Sequence, residues 1–220
     1  MTYKILVIED DKDIQELICE FLKIQLYEVD SASDGAEGIT AFQNKAYDLV
    51  ILDVMMPKLN GFQVCQMIRA KSQVPILMLT ALAEEEDHIK GFDLGVDDFI
   101  TKPFSFNIFI KRVEALLRRT YNKGDSKVQK FHEVMADSER YQVTVHGKPI
   151  ELTTKEFEIL FVLMENRGKV LTREILLDKA WGYDYYGNER VVDAHIKNLR
   201  KKLGIPYVKT IKGVGYKFDE

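Results

Sequence analysis

Five residues, Glu9, Asp10, Asp53, Thr80 and Lys102, are of types that could handle a phosphoryl group if a fold gathered them in one place. Three converging carboxylates repel one another unless a cation sits among them. Hard oxygen donors with open positions suit Mg²⁺, which also takes water and phosphate oxygens. In such a site Asp53 attacks phosphorus, Mg²⁺ and Lys102 neutralise the phosphoryl oxygens, and the Thr80 hydroxyl donates to one of them. Taken singly, each residue has a plainer reading. An acidic residue after a strand often caps the next helix, Thr80 suits a turn, and Lys102-Pro103 is an ordinary loop dipeptide. The chemistry therefore depends on the elements that carry the five.

Those elements alternate. Lys4–Ile8, Leu49–Leu52 and Ile76–Leu79 are short continuous apolar runs, the pattern of strands buried on both faces. Tyr27–Ser31 and Asp98–Thr101 are weaker strand candidates. Between them, Ile14, Leu17, Ile18, Phe21 and Leu22 recur at helical spacing, and 34–45, 61–71, 84–94 and 105–119 are amphipathic and helix-length. The expected fold is α/β, a five-stranded parallel, doubly wound (flavodoxin-like) sheet. Function in such sheets sits at the carboxyl ends of the strands, which is where all five residues fall.

The segments ILVIEDD, LVILDVMMPKLNG, PILMLTA and GVDDFITKPF resemble a bacterial response-regulator receiver domain over residues 3–119. The resemblance implies that Asp53 is the phosphoacceptor and that Mg²⁺ binds the acidic set Glu9, Asp10 and Asp53 with the Met55 carbonyl. It makes Thr80 and Lys102 the phosphoryl contacts and Phe99 the aromatic that rotates with the switch. The family often has Tyr at the position of Phe99, so no hydroxyl locks its inward rotamer here.

Composition sets the frame. The 220 residues carry 31 Lys/Arg and 35 Asp/Glu, a net charge of −4, and 46% are hydrophobic, which excludes a disordered tail. Two cysteines, Cys19 and Cys65, exclude a disulfide scaffold and suit a reducing, cytoplasmic setting. No apolar run reaches membrane-spanning length and no signal peptide is visible, so no membrane partner is expected. The charge is unevenly spread. Residues 1–120 hold 13 basic against 20 acidic residues, and 121–220 hold 18 against 15, a change from −7 to +3. Within 190–217, eight basic residues face Asp193 alone. Such asymmetry suggests a nucleic-acid surface, although a solvated basic face has the same composition. The expected organisation is a phosphoacceptor domain at 1–120, a polar linker at 121–130 and a second domain at 131–220.

The second domain reads as α+β. Tyr141–His146 and Ile150–Leu152 form a hairpin, and Thr153 with Glu156 opens a helix as a capping box. Thr172 caps a second helix ending near Trp181-Gly182. A third runs from about Glu189 to Leu203, and 208–218 closes as a hairpin, giving a winged helix-turn-helix. On the third helix Val192, Ile196, Leu199 and Leu203 define one buried stripe. The opposite side then carries Arg190, Ala194, Lys197, Asn198 and Lys201: cations for phosphates, an amide suited to adenine, and a small residue permitting close approach. Asp193 and Arg200 fall on the flank and are expected to be structural. The hairpin adds Lys209, Thr210, Lys212 and Lys217, and Val191 and Tyr216 complete the expected DNA-contacting set. Gly213-Val-Gly215 reads as a turn and not a nucleotide loop.

Residues 131–218, above all RVVDAHIKNLRKKLG and TIKGVGYKF, resemble the winged-helix output domain of the OmpR/PhoB-like response regulators. That resemblance implies a helix in the major groove of double-stranded promoter DNA, a wing at the minor groove and a loop at 182–188 that can touch RNA polymerase. A sensor histidine kinase would phosphorylate Asp53, and receivers would then pair as a homodimer through His88, Ile89, Phe92, Asp97, Asp98, Ile108 and Arg112. Where the subfamily usually pairs a basic with an acidic residue, this chain has His88 and Ile108. Phe104, Phe106, Ile108, Phe109 and Ile110 exceed one buried stripe, which predicts an unusually hydrophobic dimer surface.

Two other readings use the same residues. A constitutive DNA-binding regulator could carry an unused phosphorylation site. An Mg²⁺-dependent aspartyl-phosphate phosphohydrolase would need a second acid to protonate the leaving group, but Val54-Met55 follow Asp53. The four histidines lack zinc-ligand spacing, and no nucleophile-elbow pattern occurs. The expected protein is thus a phosphorylation-switched regulator and not a turnover enzyme, beyond slow loss of its own phosphoryl group.

Overall fold

Lys4–Ile8 (β1), Glu28–Ala32 (β2), Leu49–Asp53 (β3), Ile76–Thr80 (β4) and Asp98–Thr101 (β5) form one parallel sheet in the order β2-β1-β3-β4-β5. A computed structural model describes residues 2–81, 91–121, 128–182 and 189–220, which fall into two units, 1–120 and 121–220. The helices of the first unit are Lys12–Ile24 (α1), Gly35–Asn44 (α2), Gly61–Arg69 (α3) and Phe106–Tyr121 (α4). Of the helix expected at 84–94, residues 91–93 are helical, Leu94 lies in the turn that follows, and 84–90 lie outside the described residues, with His88 and Ile89.

Alternation along the strands divides the core. Ile5, Val7, Leu49, Ile51, Leu77 and Leu79 pack with Ile18 and Leu22 of α1 and with Phe109, Val113 and Leu116 of α4. The intervening residues Leu6, Ile8, Val50, Leu52 and Met78 are also fully buried, on the opposite face, where Ile8 meets Gly38 of α2. Each helix start is fixed locally. Asp11 caps α1 through the N–H groups of Asp13 and Ile14, Asp34 caps α2, and Asn60 with Gln63 forms a capping box on α3. Such caps are worth about 1 kcal/mol each and hold the loops that begin at the strand ends.

The excess of apolar residues at the start of α4 is absorbed inside the unit, contrary to the expected hydrophobic dimer surface. Phe106 stacks on Phe21 of α1 at 4.2 Å, and Phe104 lies 5.6 Å from buried Phe109. Ile110 packs on the same cluster, leaving Ile108, 52% exposed, facing outward. A helix packed against both a sheet and a neighbouring helix buries a wider arc than one stripe.

The second unit begins with a four-stranded antiparallel sheet, Val128–Phe131 (β6), Val134–Asp137 (β7), Gln142–Val145 (β8) and Lys148–Ile150 (β9). The first of these strands starts inside the segment read as linker, so an unstructured 121–130 is corrected; 122–127 lie outside the described residues. Thr154–Glu165 (α5), Arg173–Trp181 (α6) and Arg190–Leu203 (α7) follow, and Val208–Ile211 (β11) with Gly215–Phe218 (β12) close the hairpin. Val170–Thr172 (β10) adds to that hairpin's edge in the order β10-β12-β11. The Thr153–Glu156 capping box and the Thr172 cap form as their spacing predicts. No helix among the described residues is long and apolar enough to cross a membrane.

Candidate functional site

Register brings the chemistry together. Ile8 pairs with Leu52, so the next residues, Glu9 and Asp53, emerge side by side from β1 and β3. Thr80 pairs with Thr101, so Lys102 emerges beside Thr80, and its N–H donates to the Thr80 carbonyl at 2.7 Å. Carboxylate oxygens of Glu9, Asp10 and Asp53 lie within 4.8 Å of one another, with Glu9 and Asp53 buried and Asp10 exposed. Lys102 Nζ reaches both buried acids: 2.9 and 2.7 Å to the two Glu9 oxygens and 2.7 Å to Asp53 Oδ1. Asp53 Oδ2 accepts from the Met55 N–H at 2.8 Å. Each oxygen of the candidate acceptor thus has its own donor, which fixes the carboxylate plane.

Electrostatics at this edge follow from burial. Burial raises the Glu9 carboxyl above its ordinary range; the Lys102 hydrogen bond opposes this, and the nearby Asp53 charge adds to it. Burial also draws the Lys102 ammonium down, but hydrogen bonds and charge from Asp53 and Glu9 outweigh it, so its pKa stands raised. Three hard oxygen donors beside one ammonium form a donor set that fits a divalent cation. Thr80 is buried at the same edge, 1% exposed, and Phe99 of β5 is turned into the protein, edge-on to Phe92 at 4.9 Å.

Residues not singled out in the sequence complete the frame. Gln15 Nε2 donates to the carbonyls of Glu9 (2.7 Å) and Ala32 (2.8 Å), tying the loop after β1 to the end of β2. Lys58 bonds the α2 cap Asp34 at 2.5 Å, holding the loop after Asp53 against α2. Neither is visible as periodicity or motif, because each joins positions brought together by parallel pairing.

The expected pairing surface changes. Phe92 is 2% exposed and Asp97 fully buried, bonded to Arg69 at 2.9 Å and to the Ile76 N–H at 2.9 Å, so both serve the unit's interior. Both carboxylate oxygens of Asp98 accept from Arg112 of the same chain, at 2.7 Å each, and Oδ1 also accepts from the Phe99 N–H at 2.8 Å. Among the described members of the expected set, Ile108 is exposed and Arg112 partly exposed, while Asp98, 5% exposed, is buried beneath Arg112.

On α7 the buried arc is wider than a stripe. Val191, Val192, Ala194, His195, Ile196, Leu199 and Leu203 are all buried, since α5 and α6 pack against it from two directions. Val191 and Ala194 are therefore corrected from DNA-contacting to core. Tyr216, 4% exposed with its hydroxyl on Asp193, leaves the contact set on the same ground. Arg190, Lys197 and Lys201 are exposed and Asn198 half-buried on the remaining face; Lys212 is exposed at the hairpin tip, and Lys209 and Thr210 flank it. Lys217 pairs with Asp219, and Thr210 accepts from Arg200. Asp193 and Arg200 are structural, as their flank position predicts.

Residues 5–114 match the family described as response regulator receiver domain, and 147–218 match transcriptional regulatory protein, C terminal. The chain is 45% identical to the regulatory protein VanRB of Enterococcus faecalis over 220 residues, covering 100% of this chain and 99% of that protein. It is 42% identical to the alkaline phosphatase synthesis transcriptional regulatory protein PhoP of Bacillus subtilis, with coverage of 100% and 98%. Among solved structures, the response regulator DrrB of Thermotoga maritima, an OmpR/PhoB homolog, matches at 38% identity with a TM-score of 0.53 and full coverage of both chains.

Proposed function

This chain belongs to the response regulators of the OmpR/PhoB type, and from that premise we propose that Asp53 is its phosphoacceptor and that α7 with the C-terminal hairpin is its DNA-reading surface. It is a phosphorylation-dependent, DNA-binding transcriptional regulator of a two-component system, partnered by a histidine kinase and by DNA, and not a turnover enzyme. The observation that carries the Asp53 assignment is the division of its oxygens between Lys102 Nζ and the Met55 N–H.

In the transfer, a P–O bond to Asp53 forms as the P–N bond to the kinase histidine breaks, and the electron pair leaves with the imidazole. Lys102, 2.7 Å from Asp53 Oδ1, offsets charge on the phosphoryl oxygens, and Thr80 supplies a hydroxyl donor. Glu9, Asp10 and Asp53, with the Met55 carbonyl, would hold Mg²⁺. That ion supplies charge neutralisation at the phosphoryl oxygens. Buried Glu9 is held in place by Lys102, and its main chain by Gln15. Once phosphorylated, receivers pair at the surface that includes Ile108 and Arg112. Pairing places two α7 helices on DNA and raises affinity through effective concentration. Residues 183–188, outside the described residues, belong to the loop read as an RNA polymerase contact. The working compartment is the cytoplasm, where the kinase's phosphoryl-donating domain and DNA are both found.

The test is phosphorylation by acetyl phosphate with Mg²⁺, read by intact mass. A single phosphoryl adduct on the parent chain and none on Asp53→Asn is expected; equal labelling of both sinks the assignment. One observation favours a second reading. Phe99 is already turned inward, as a receiver set for constitutive DNA binding would have it. Equal DNA affinity for the parent and Asp53→Ala, each with the phosphoryl donor, would establish that reading instead.

A further inference from the structure

Tyr216 joins α7 to the hairpin through several contacts. Its hydroxyl donates to Asp193 Oδ1 at 2.6 Å, and Arg173 Nε donates to the same oxygen at 2.7 Å. The guanidiniums of Arg173 and Arg200 lie over its ring, 5.1 and 5.6 Å from the centroid. Arg200 also donates to the Val208 carbonyl at 2.8 Å and to Thr210 Oγ1 at 2.7 Å.

The register gives these bonds a direction. Thr210 and Tyr216 are directly opposed in the β11–β12 ladder. Both are held by α7, Thr210 by Arg200 and Tyr216 by Asp193. Those two anchors are seven residues apart, two helical turns on one face, or about 10 Å along the axis. Two pegs at that separation fix both the position and the angle of the hairpin against the helix. Lys212, at the tip, stands two residues beyond the pinned rung. β10 braces β12 as far as the Thr172–Gly215 pair, and the turn beyond it, which carries Lys212, has little rigidity of its own. Burial pushes the Tyr216 hydroxyl up to about 12, so it remains a donor across the physiological range.

We propose that Tyr216 and Asp193, with Arg173 and Arg200, are positioning residues that lock the wing onto the recognition helix, so that Lys212 meets DNA only in a fixed register with Lys197 and Asn198. Tyr216 itself does not touch DNA. This rests on the DNA-reading surface proposed above and adds to it a coupling between its two halves.

The test is a double-mutant cycle on the full-length protein, phosphorylated with acetyl phosphate. The probe is a 30-base-pair duplex that the parent protein recovers from a random pool. Lys212→Ala is expected to weaken binding about fivefold in the parent chain and less than about twofold in Tyr216→Phe, which keeps the ring and loses the peg. Asp193→Ala is expected to weaken binding about as much as Tyr216→Phe, although it removes a negative charge from beside the DNA. A Tyr216–phosphate contact requires the opposite sign for that variant. Thr210→Val, which removes the second peg and packs nothing in the interior, is expected to mimic both. A full fivefold cost of Lys212→Ala in every background, or tighter binding by Asp193→Ala, overturns the lock while leaving the DNA surface standing. No cost of Lys197→Ala or Lys212→Ala in the parent overturns the surface, and the lock with it.

Discussion

Gly61 stands directly behind Asp53, the proposed phosphoacceptor, and replacing it with alanine tests whether the site's geometry is held by backbone packing. A methyl at Gly61 would lie 2.3 Å from the Asp53 carbonyl oxygen and 2.9 Å from Val54 Cα. Ordinary contact begins near 3.4 Å, so the start of α3 and the end of β3 must part by about 1 Å. Both obstructing atoms are backbone, and no rotamer relieves them. The same shift stretches the Gly61 N–H bond to the Val54 carbonyl, now 3.0 Å. Overpacking costs about 1–3 kcal/mol and a weakened hydrogen bond about 1 more. Alanine returns up to about 1 through helix propensity. The expected net loss is about 1–3 kcal/mol, read as a lower urea midpoint at unchanged slope.

The functional consequence is larger than the thermodynamic one. Asp53 Oδ1 sits 2.7 Å from Lys102 Nζ, and moving its backbone by about 1 Å breaks that alignment. Misplacement on this scale can cost about 100-fold in rate. Gly61→Ala is therefore expected to take up phosphoryl from acetyl phosphate at least about tenfold more slowly, under conditions where circular dichroism shows it folded. A folded variant with the parent's urea midpoint and labelling rate would refute the claim that this contact sets the acceptor.

Four further outcomes follow from other contacts. Gly91→Ala puts a methyl 2.3 Å from Phe99 Cζ, a side-chain clash that rotation can relieve, so Phe99 should turn outward at the cost of its burial, about 1–3 kcal/mol; ¹⁹F-labelled phenylalanine reports the turn, and an unmoved Phe99 resonance counts against the inward pose. Lys102→Met leaves buried Glu9 and Asp53 facing each other, and should cost about 2–4 kcal/mol at pH 7. Because Glu9 is raised in the folded state, its proton stabilises the fold; the deficit should shrink as pH falls toward 4.5 and widen above it, and a pH-independent deficit in urea titrations would contradict the coupling. Tyr216 is raised from 10 to about 12, so the stability it gives the second unit is intact below pH 10 and lost as pH rises toward about 12, a dependence that Tyr216→Phe should abolish in thermal melts. Ile108→Glu should reduce phosphorylation-induced dimer in sedimentation without changing Asp53 labelling; an unaltered dimer fraction would place pairing elsewhere.

The parallel sheet and the five residues at its edge were legible because buried strands read as uninterrupted apolar runs and because βαβ connections put every strand's carboxyl end on one side. What stayed hidden was set by neighbours that spacing does not encode. Asp97 was read as a surface charge, yet Arg69 and the Ile76 N–H enclose it. Phe104 and Phe106 were read as excess because Phe106 finds its partner in Phe21 of α1, more than 80 positions away in sequence, and Phe104 packs on Phe106 and Phe109. Val191 and Ala194 lie off the 192–196–199–203 stripe, but packing from two sides extends burial to them. The strands β6 and β7 were missed because their alternation is short and half-exposed, so polar residues such as Gln129 and Lys130 gave 128–131 the texture of a linker.

Charge at the acceptor edge supports one last outcome. Glu9, Asp10 and Asp53 carry a formal −3 when ionised, and Lys102, the cation bonded to Glu9 and Asp53, reduces this to −2. Phosphorylation exchanges the single charge on Asp53 for about two on the ester, taking the pocket to about −3 in a partly buried space. At an effective dielectric constant of about 20, each like-charge pair 4 Å apart costs about 4 kcal/mol, more than one ammonium can offset. A divalent cation brings the phosphorylated pocket to about −1, close to balance. Removing divalent ions with EDTA should therefore abolish labelling of Asp53, and Mg²⁺ should restore it. Asp10→Asn, which removes one ligand charge, should need more Mg²⁺ for half-maximal labelling while still reaching the acceptor. Full labelling in EDTA would mean that Lys102 alone balances the pocket, and that the three carboxylates are gathered for some purpose other than holding an ion.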